Sequence, residues 1–274
     1  MQFNAFKMDG LGNDFVIIDQ RLQNLNLSKN QIVKICKRNF IGCDQLIFIN
    51  QSQSSHGSLI FYNSDGSISG ACGNGTRCVA RFLSAENNQK TISLETSSGI
   101  LNSNILDNNF VETNIGKATI EWNKIPLSKK VDTKNLGIKI KSKDNSNYID
   151  GIAVNVGNPH VIFFVENIDN FDIQKIGPEI ENHELFPEKC NVTFAKVINK
   201  NKILVRVWER GAGLTKACGT AACATAFAGF LNGLTSKKTD IQFELGFLSI
   251  RIEYDFSIYM SGPVSEIKEI EVII

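Results

Sequence analysis

Two cysteines of this chain stand in a setting that could make their side chains reactive. Cys72 and Cys218 each occupy the middle of an Ala-Cys-Gly motif, and a helix is predicted to begin directly after each motif. Unpaired backbone N–H groups and the positive end of the helix dipole favour negative charge at such a position. This environment lowers the pKa of a thiol from about 8.5 and binds a carboxylate. One thiolate can remove the α-proton of an amino acid while a second thiol returns a proton to the opposite face. The pair therefore predicts chemistry of the racemase or epimerase type.

The other cysteines carry no comparable signal. The chain has seven cysteines, an odd number, and no CxxC pair that would indicate a zinc or iron–sulfur site. A disulfide framework is typical of small secreted chains, so we expect reduced thiols and no bound metal. Because a cysteine in an apolar run is usually a small core residue, we assign structural roles to Cys36, Cys43, Cys78, Cys190 and Cys223.

The surroundings of the two reactive cysteines belong to an internal repeat. ACGNGTRCVARF begins at Ala71 and ACGTAACATAF begins at Ala217, an offset of 146 residues. Three further pairs recur in the same order at offsets of 145 or 146: Gly12-Asn13 with Gly157-Asn158, Asp44-Gln45 with Cys190-Asn191, and Phe61-Tyr-Asn63 with Val207-Trp-Glu209. Ordered matches at nearly one offset indicate two halves of one design.

Each half is expected to contain several strands and two helices. Turn residues bound the strand-like runs, as at Asn108-Asn109. The first helix follows a capping residue, Ser28 or Asp172, and Pro178 is expected to shorten or distort its second copy. The second helix follows each Ala-Cys-Gly motif.

The second helix of the C-terminal half indicates the architecture. It is predicted over Thr220 to about Asn232, with Gly233 as a stop signal, and it is small and apolar on every side. A helix without a polar face has to be enclosed. We therefore predict an α+β fold of two pseudo-symmetric domains, each with strands wrapped around a central helix.

The domain boundaries follow from the repeat. The N-terminal domain is expected to span 1–118, with 264–274 returning to it as a last strand, and the C-terminal domain to span 119–263. The polar stretch 123–147 is interpreted as a connection. The active site is expected in the cleft between the domains.

Length and composition exclude several classes of protein. The chain has 274 residues, 42% hydrophobic and 21% charged, which is typical of a globular protein. Its 29 basic and 28 acidic residues give no electrostatic reason to expect nucleic acid or an anionic membrane as partner. The uncharged segment 217–236 has an apolar part far shorter than the roughly 20 residues that span a bilayer. With no export signal visible, we expect a cytoplasmic protein.

Seven ordered motifs cover nearly the whole chain. They are KMDGLGNDFVIID (7–19), FYNSDGS (61–67), ACGNGTRC (71–78), VNVGNPH (154–160), FPEKCNVTF (186–194), VWERGAG (207–213) and ACGTAA (217–222). In these motifs the chain resembles the diaminopimelate epimerase family. The resemblance implies a cofactor-independent enzyme that interconverts LL- and meso-2,6-diaminopimelate, a small-molecule substrate, in lysine and peptidoglycan-precursor synthesis. It also implies a homodimer.

The resemblance implies a role for each matched residue. Cys218 would take the proton from the LL isomer and Cys72 would donate one, with the roles reversed for the meso isomer. The carboxylate at the reacting centre would be cradled by Gly73, Asn74, Gly219 and Thr220. The substrate and its distal L-centre would be held by Asn13, Gln45, Asn63, Asn158, Asn191, Glu209 and Arg210. His160 and Glu209 match positions that tune the pKa values of the thiols.

The residue types agree with these roles. Arg210 offers a planar fork to a carboxylate, whereas Glu209 and the asparagines accept hydrogen bonds from an ammonium. The structural alternatives are a solvated surface pair for Glu209-Arg210 and a satisfied core histidine for His160. Two positions depart from many relatives: Asp9 stands where they carry His, and Cys190 replaces a more usual non-cysteine residue.

Other functions stay open from the sequence. Proline racemases and hydroxyproline epimerases share the implied fold but typically carry His at the position of Asn74, and phenazine-biosynthesis relatives generally lack the cysteine pair. A non-catalytic amino-acid binder would use the same cradle without turnover. A thiol redox sensor would oxidise Cys72 and Cys218 to a disulfide.

Overall fold

The structure is a computed structural model that describes residues 1–70, 72–97, 99–107, 109–143 and 148–274. The first residue of the repeated motif (Ala71), the turn residue Asn108 and residues 144–147 of the interpreted connection lie outside the described residues. The chain divides into two compact units. Unit 1 comprises Met1–Asn114 and Ser261–Ile274, and unit 2 comprises Ile115–Met260.

Strands dominate the described residues. They are β1 (Gln2–Gly10), β2 (Asn13–Asp19), β3 (Gln45–Asn50), β4 (Ser58–Asn63), β5 (Ile68–Ser69), β6 (Thr91–Thr96), β7 (Gly99–Asp107), β8 (Phe110–Lys117), β9 (Lys139–Lys141), β10 (Tyr148–Asp150), β11 (Ile152–Asn155), β12 (Pro159–Phe164), β13 (Asn191–Asn199), β14 (Lys202–Glu209), β15 (Gly213–Thr215), β16 (Lys238–Phe243), β17 (Gly246–Ile252), β18 (Ser257–Pro263) and β19 (Lys268–Ile273). The α-helices are α1 (Lys29–Cys36), α2 (Gly73–Asn87), α3 (Ile173–Glu181) and α4 (Gly219–Leu231), and a 3₁₀ helix spans Ile168–Asn170.

Unit 1 is a mixed sheet with a helix on each face. Strands β2 and β3 run parallel, whereas β1–β2, β3–β4 and β6–β7 are antiparallel. Along β2, Phe15 and Ile17 belong to the core that contains α2, while Val16 and Ile18 belong to the core that contains α1. This division follows from the alternation of side chains along a strand. Because β1, β2, β6 and β7 all contact α2, strands surround this helix.

Unit 2 repeats this plan around α4. Residues 221–229 of α4 are all buried, and the helix contacts β11, β12, β13, β16 and β17. Helix α3 packs against β13, β14 and β15. The predicted fold class, with strands wrapped around a central helix in each half, is therefore confirmed. No α-helix in the described part of the chain has the length and apolar character needed to cross a bilayer.

The repeat is visible in the register of the strands. In unit 1 the parallel pair β2–β3 aligns Phe15 with Gln45. In unit 2 the parallel pair β12–β13 aligns His160 with Asn191. These are the residues that the sequence offset of 145 to 146 matches, so each predicted binding residue starts the same strand in its own unit.

The first helices begin at the predicted capping residues. Ser28 caps α1 in a capping box closed by Gln31, and the Asp172 side chain caps α3 by accepting from Lys175 N. Pro178 lies inside α3, which nevertheless continues to Glu181.

A tight turn brings β1 into β2 directly before Asn13. Leu11 and Gly12 have φ angles of 59° and 80°, the two positive values of a hairpin turn whose twist matches that of its strands. The carboxylate of Asp9 accepts from Gly12 N at 2.9 Å. Gly157, which precedes Asn158 in the repeat, also has a positive φ of 108°, a conformation that glycine adopts without steric cost.

The stretch interpreted as a connection is part of unit 2, so that interpretation is wrong for its described residues. Its apolar side chains are buried in the same core as Phe163 and Phe194; they are Ile125, Leu127, Leu136, Ile138 and Ile140. Residues 136, 138 and 140 alternate with polar neighbours, and β9 pairs with β10. Lys139 and Lys141 are therefore the exposed half of an alternating strand pattern.

The last strand completes unit 1. Strand β19 pairs antiparallel with β1 and aligns Ile273 with Gln2. The amino group of Met1 donates to Ile274 O at 2.7 Å. Unit 1 therefore contains both the first and the last strand of the chain.

Candidate active site

Cys72 is the residue that precedes helix α2. It is the N-cap, with extended backbone, and its side chain makes no capping hydrogen bond. Its carbonyl instead accepts from N and Oγ1 of Thr76 at 2.8 and 2.9 Å. The thiol, which is half-buried, donates to Asn13 Oδ1 at 3.6 Å. The start of α2 thus places a predicted acid/base residue against a predicted binding residue of β2.

The other end of the Asn13 amide is bound by Asp44, a residue for which the sequence predicted no role. Asn13 Nδ2 donates to Asp44 Oδ2 at 2.9 Å, and the same oxygen accepts from Asp14 N at 3.1 Å. The second oxygen of Asp44 pairs with the guanidinium of Arg38. Arg38 also donates to both carboxylate oxygens of Asp14 at 2.9 and 2.7 Å.

Three further amides of unit 1 belong to the predicted binding set. Gln45 Nε2 donates to Asn63 Oδ1 at 2.9 Å, and Asn63 Nδ2 donates to Ser67 Oγ at 3.1 Å. Gln45 Oε1 and Asn74 Oδ1 are buried and have no hydrogen-bond partner among the described residues. Because unsatisfied buried acceptors cost free energy and are rare, a hydrogen bond from a donor would stabilise each of these two oxygens.

The cradle residues are the first residues of the two central helices. Gly73 and Asn74 begin α2, and Gly219 and Thr220 begin α4. The first N–H groups of a helix have no partner within the helix, and they bind anions together with the dipole. Each unit therefore presents a helix N-terminus that suits a carboxylate.

Cys218 occupies the position in unit 2 that matches Cys72. It is the N-cap of α4 and only 6% exposed. Its Sγ lies 3.5 Å from Thr220 Oγ1. Burial raises the pKa of the Cys218 thiol well above its usual range, and the negative charge of Glu209 raises it further. The hydroxyl of Thr220 and the N–H of Ala221 lower the pKa but are outweighed. The expectation that the helix start lowers the thiol pKa is therefore wrong for Cys218, because burial dominates.

The turn after β14 carries the predicted charged residues of unit 2. Glu209 ends the strand, and Arg210 N donates to Asn191 Oδ1 at 3.0 Å. Asn191 is buried, and its Nδ2 donates to Pro159 O at 3.1 Å. Arg210 itself is exposed, with Nη1 donating to Glu188 O at 2.8 Å. The turn thus joins three of the predicted binding residues.

Glu181, which the sequence did not single out, holds this turn in place. It is 6% exposed, at the end of α3. Its carboxylate accepts from Trp208 Nε1 at 2.7 Å and from Gly211 N at 2.9 Å, on either side of Glu209 and Arg210. No sequence signal marks Glu181, since it reaches the turn only through the packing of α3 on β14. For Asp44, in contrast, the sequence does contain a signal, because Asp44-Gln45 is one of the repeated pairs.

His160 is fully buried on β12, and its Nε2 lies 2.8 Å from Asn158 Oδ1. Burial, together with the positive charge of Arg210, lowers the pKa of His160 to about 3. The ring is therefore neutral, and Nε2 carries the proton because an amide oxygen can only accept. Nδ1 is buried without a hydrogen-bond partner in the described residues, so His160 differs from a fully satisfied core histidine.

The remaining cysteines are core residues, as interpreted. All five are at most 3% exposed; they are Cys36, Cys43, Cys78, Cys190 and Cys223. Cys43 Sγ lies 3.5 Å from Cys36 Sγ, and Cys190 Sγ donates to Ile180 O at 3.6 Å. Among the described residues, no group of three or more His, Cys, Asp or Glu side chains could hold a metal ion.

Comparison with known proteins covers both units. The model of the family described as "Diaminopimelate epimerase" matches residues 5–121 and 152–267. The chain is 63% identical over 272 residues to a curated diaminopimelate epimerase of Pelagibacter ubique (strain HTCC1062), covering 99% of each. Two solved structures are similar at a TM-score of 0.69. One is a phenazine biosynthesis protein of the PhzF family from Bacillus anthracis (16% identity, 100% of both chains). The other is a hydroxyproline epimerase from Agrobacterium vitis (11% identity, 98% of this chain and 91% of that one). At such identities these two likenesses show the fold alone.

Proposed function

This chain belongs to the diaminopimelate epimerase family, and we propose that it interconverts LL- and meso-2,6-diaminopimelate by proton transfer between two cysteines. The family model spans both repeats, and a curated member is 63% identical over nearly the whole chain. These findings confirm the resemblance that the seven motifs indicated. The observation that carries the mechanism is the placement of a cysteine at the start of each central helix, in matched positions of the two units.

The proposed reaction moves one α-proton and needs two groups. A thiolate at Cys218 removes the α-proton of the LL isomer, and the carbanion is protonated on the opposite face by the thiol of Cys72. The reverse reaction exchanges the two roles. Because the carbanion charge spreads onto the substrate carboxylate, the N–H groups at the helix starts stabilise the transition state.

Cys218 must lose its proton before it can act as a base. Its pKa is raised by burial and by Glu209, so the resting group is a thiol. A hydrogen bond joins the Cys218 thiol to the Glu209 carboxylate. We assign Glu209 the role of receiving this proton, which leaves Cys218 as the thiolate that removes the α-proton.

The binding residues divide by charge. Arg210 provides a fork for a carboxylate, and a second carboxylate is held by the helix starts at Gly73 and Gly219. The buried oxygens of Gln45 and Asn74, which have no partner in the described chain, accept from a substrate ammonium. A substrate with two amino-carboxylate ends would use all of these groups. A proline-like substrate has only one such end.

The proposal extends to setting and assembly. A homodimer in the cytoplasm agrees with the family and with a reaction that needs reduced thiols. Sedimentation or light scattering of the reduced protein would measure a mass of twice 30.4 kDa if the dimer forms.

The test is proton exchange in deuterated, reduced buffer with LL-diaminopimelate and, separately, L-proline. We expect one deuterium at a single α-position together with the meso isomer, and loss of both in Cys72→Ala and in Cys218→Ala. Exchange with proline but not with diaminopimelate would assign the chain to the proline racemase type. Binding of diaminopimelate without exchange would leave only an amino-acid binder. Activity that is lost in oxidant and restored by reductant would add a redox response at the same cysteines.

A further inference from the structure

We propose that Asp44 is a positioning residue that fixes the Asn13 amide with its oxygen towards Cys72. The inference rests on the proposed role of Cys72 as a proton donor. It goes beyond that role because Asp44 does not contact the thiol and is not itself among the residues assigned to substrate. Asp44 acts through Asn13, which lies between the two.

The sense of the Asn13 amide follows from the chemistry of its partner. An ionised carboxylate offers only acceptors, so the end of the amide that faces Asp44 must be the NH2 group. The 2.9 Å contact joins Nδ2 to Asp44 Oδ2. The oxygen is then the only end left for Cys72, whose Sγ donates to it at 3.6 Å. A neutral partner in place of Asp44 would leave both senses of the amide open.

Asp44 is itself fixed at several atoms. Its Oδ1 pairs with Arg38, its Oδ2 also accepts from Asp14 N at 3.1 Å, and its own N–H donates to Asp14 O at 2.9 Å. Hydrogen bonds to charged groups are the stronger class in proteins. The carboxylate is thus a rigid acceptor at the start of β3, where Gln45 follows it.

The matched position of unit 2 supports a specific role for the charge. Cys190 stands there, and its thiol is directed to Ile180 O at 3.6 Å. The Asn158 amide is engaged by His160 on its oxygen end. The carboxylate is therefore present only in the unit whose asparagine accepts from its cysteine.

An amide oxygen and an amide NH2 have opposite effects on a thiol. The oxygen accepts from S–H and stabilises the thiol, while the NH2 would donate to the thiolate and stabilise that form. Asp44 thus keeps Cys72 in the state that donates a proton. Cys78 interacts electrostatically with Cys72, and other charged groups lie in the same part of unit 1: Lys7, Asp9, Asp14 and Arg38. A change of charge in this cluster is tested separately, through Asp14.

The test combines kinetics with thiol reactivity in the full chain. Asp44→Ala and Asp44→Asn are assayed for epimerisation and, in a Cys218→Ala background, for alkylation of Cys72 by iodoacetamide between about pH 6 and pH 9. Peptide mass spectrometry identifies the modified cysteine. Asp14→Asn is the matched control, because it removes a carboxylate of the same cluster and leaves the bond between Asn13 and Asp44 in place.

We expect Asp44→Ala to raise the alkylation rate of Cys72 near pH 7 about tenfold, because the thiolate is the reactive form. We expect kcat/KM to fall about tenfold to a hundredfold, mostly through kcat, since a positioned proton donor acts in the transition state. Asp44→Asn, which keeps the size of the side chain, should change both in the same direction by less. Asp14→Asn should alter alkylation by less than about threefold, because it removes a charge that is screened and keeps the bond that orients the Asn13 amide.

Equal alkylation rates in Asp44→Ala and Asp14→Asn would overturn the proposal, since charge and not amide orientation would then account for the effect. An unchanged rate in both Asp44 variants would overturn it as well. If Asp44→Ala does not fold, Asp44→Asn decides on the same readout. Absence of epimerisation in the unmodified chain would instead count against the proposed function, and the alkylation data would still decide the role of Asp44.

Discussion

Asn13 and Asn158 occupy matched positions of the two repeats and hold their side-chain amides in opposite senses. The NH2 group of Asn13 is bound by Asp44, so its oxygen faces the Cys72 thiol. The oxygen of Asn158 is bound by the ring N–H of His160, so its NH2 group is the end left to donate. A duplicated fold therefore carries two chemically unlike sets of site residues. Such a difference suits a reaction in which the two cysteines begin in different roles.

The neutral state of His160 predicts a loss of stability in mild acid. Its pKa is about 3 in the folded chain and about 6.5 in an unfolded chain. Between these values the unfolded state binds a proton that the folded state does not, so the free energy of unfolding falls as the pH falls, by about 1.4 kcal/mol per pH unit. Lowering the pH from 7 to 5 should reduce the free energy of unfolding of the unmodified protein by about 2 kcal/mol more than that of the His160→Gln variant. Urea unfolding at the two pH values measures both losses. Equal losses in the two proteins would contradict the burial of a neutral ring.

Glu209 is expected to control the proton of Cys218. Its negative charge contributes to the raised pKa of the thiol, second to burial. Glu209→Gln removes this charge and should lower the pKa, so the thiolate forms at lower pH. Alkylation of Cys218 by iodoacetamide in a Cys72→Ala background should therefore be faster for Glu209→Gln at about pH 8, because a larger fraction of the thiol is ionised. At the same time epimerisation should fall, since the group that receives the thiol proton is lost. A slower alkylation would reverse the sign of the proposed interaction.

Glu181 should stabilise unit 2 and fix the turn that carries Arg210. Glu181→Ala leaves Trp208 Nε1 and Gly211 N without their acceptor, at an expected cost of about 2 to 4 kcal/mol in the free energy of unfolding. The KM for substrate should rise, because the turn is less well positioned. Glu179→Ala is the matched control, since Glu179 is exposed on the same helix, and it should change both quantities little. Similar effects of the two variants, measured by urea unfolding and steady-state kinetics, would rule out a specific role for Glu181.

Near the starts of α2 and α4, unit 1 has Gly75 where unit 2 has Ala221 at the matched position. A Cβ on Gly75 would lie 2.8 Å from Ile47 Cδ1 and 2.9 Å from Phe61 Cε1. Overpacking of this kind costs about 1 to 3 kcal/mol, which exceeds the roughly 1 kcal/mol that Ala gains over Gly in a helix. Gly75→Ala should therefore lower the free energy of unfolding despite its better helix propensity.

Ala221→Gly makes the reverse substitution at the matched position of unit 2. The alanine is fully buried in unit 2, so its removal should cost about 1 kcal/mol of helix propensity and a small cavity. Thermal or urea unfolding measures both variants. A gain in stability from Gly75→Ala would contradict the close packing of α2 against β3 and β4 at this glycine.

Repeats and helix starts were readable from the sequence because they rest on local signals. The capping residues and the two Ala-Cys-Gly motifs mark helix N-termini directly, and the constant offset predicts that Gln45 and Asn191 begin matched strands. In the stretch 123–143, single apolar residues such as Ile125 and Ile140 are buried among exposed polar ones, and this composition resembles that of a polar linker.

The electrostatics of the site could not be read in this way. The sequence predicted a lowered thiol pKa from the helix dipole, whereas burial of Cys218 raises it. Burial depends on the packing of the whole unit, which local patterns do not encode. Asp44 and Glu181 were assigned no role for the same reason, since their contacts to Asn13 and to the Trp208 side chain form only in the folded chain.

The pairing of the first strand with the last one has a consequence for synthesis on the ribosome. Strand β1 leaves the ribosome early, but its antiparallel partner β19 is made more than two hundred residues later. Unit 2 is continuous in the chain and can reach its fold while unit 1 still lacks an edge. During that interval the backbone of β1 is open along one side, and nascent chains in this state are exposed to wrong strand pairing. The order of translation thus makes the N-terminal repeat the last to close, although most of it is synthesised before unit 2.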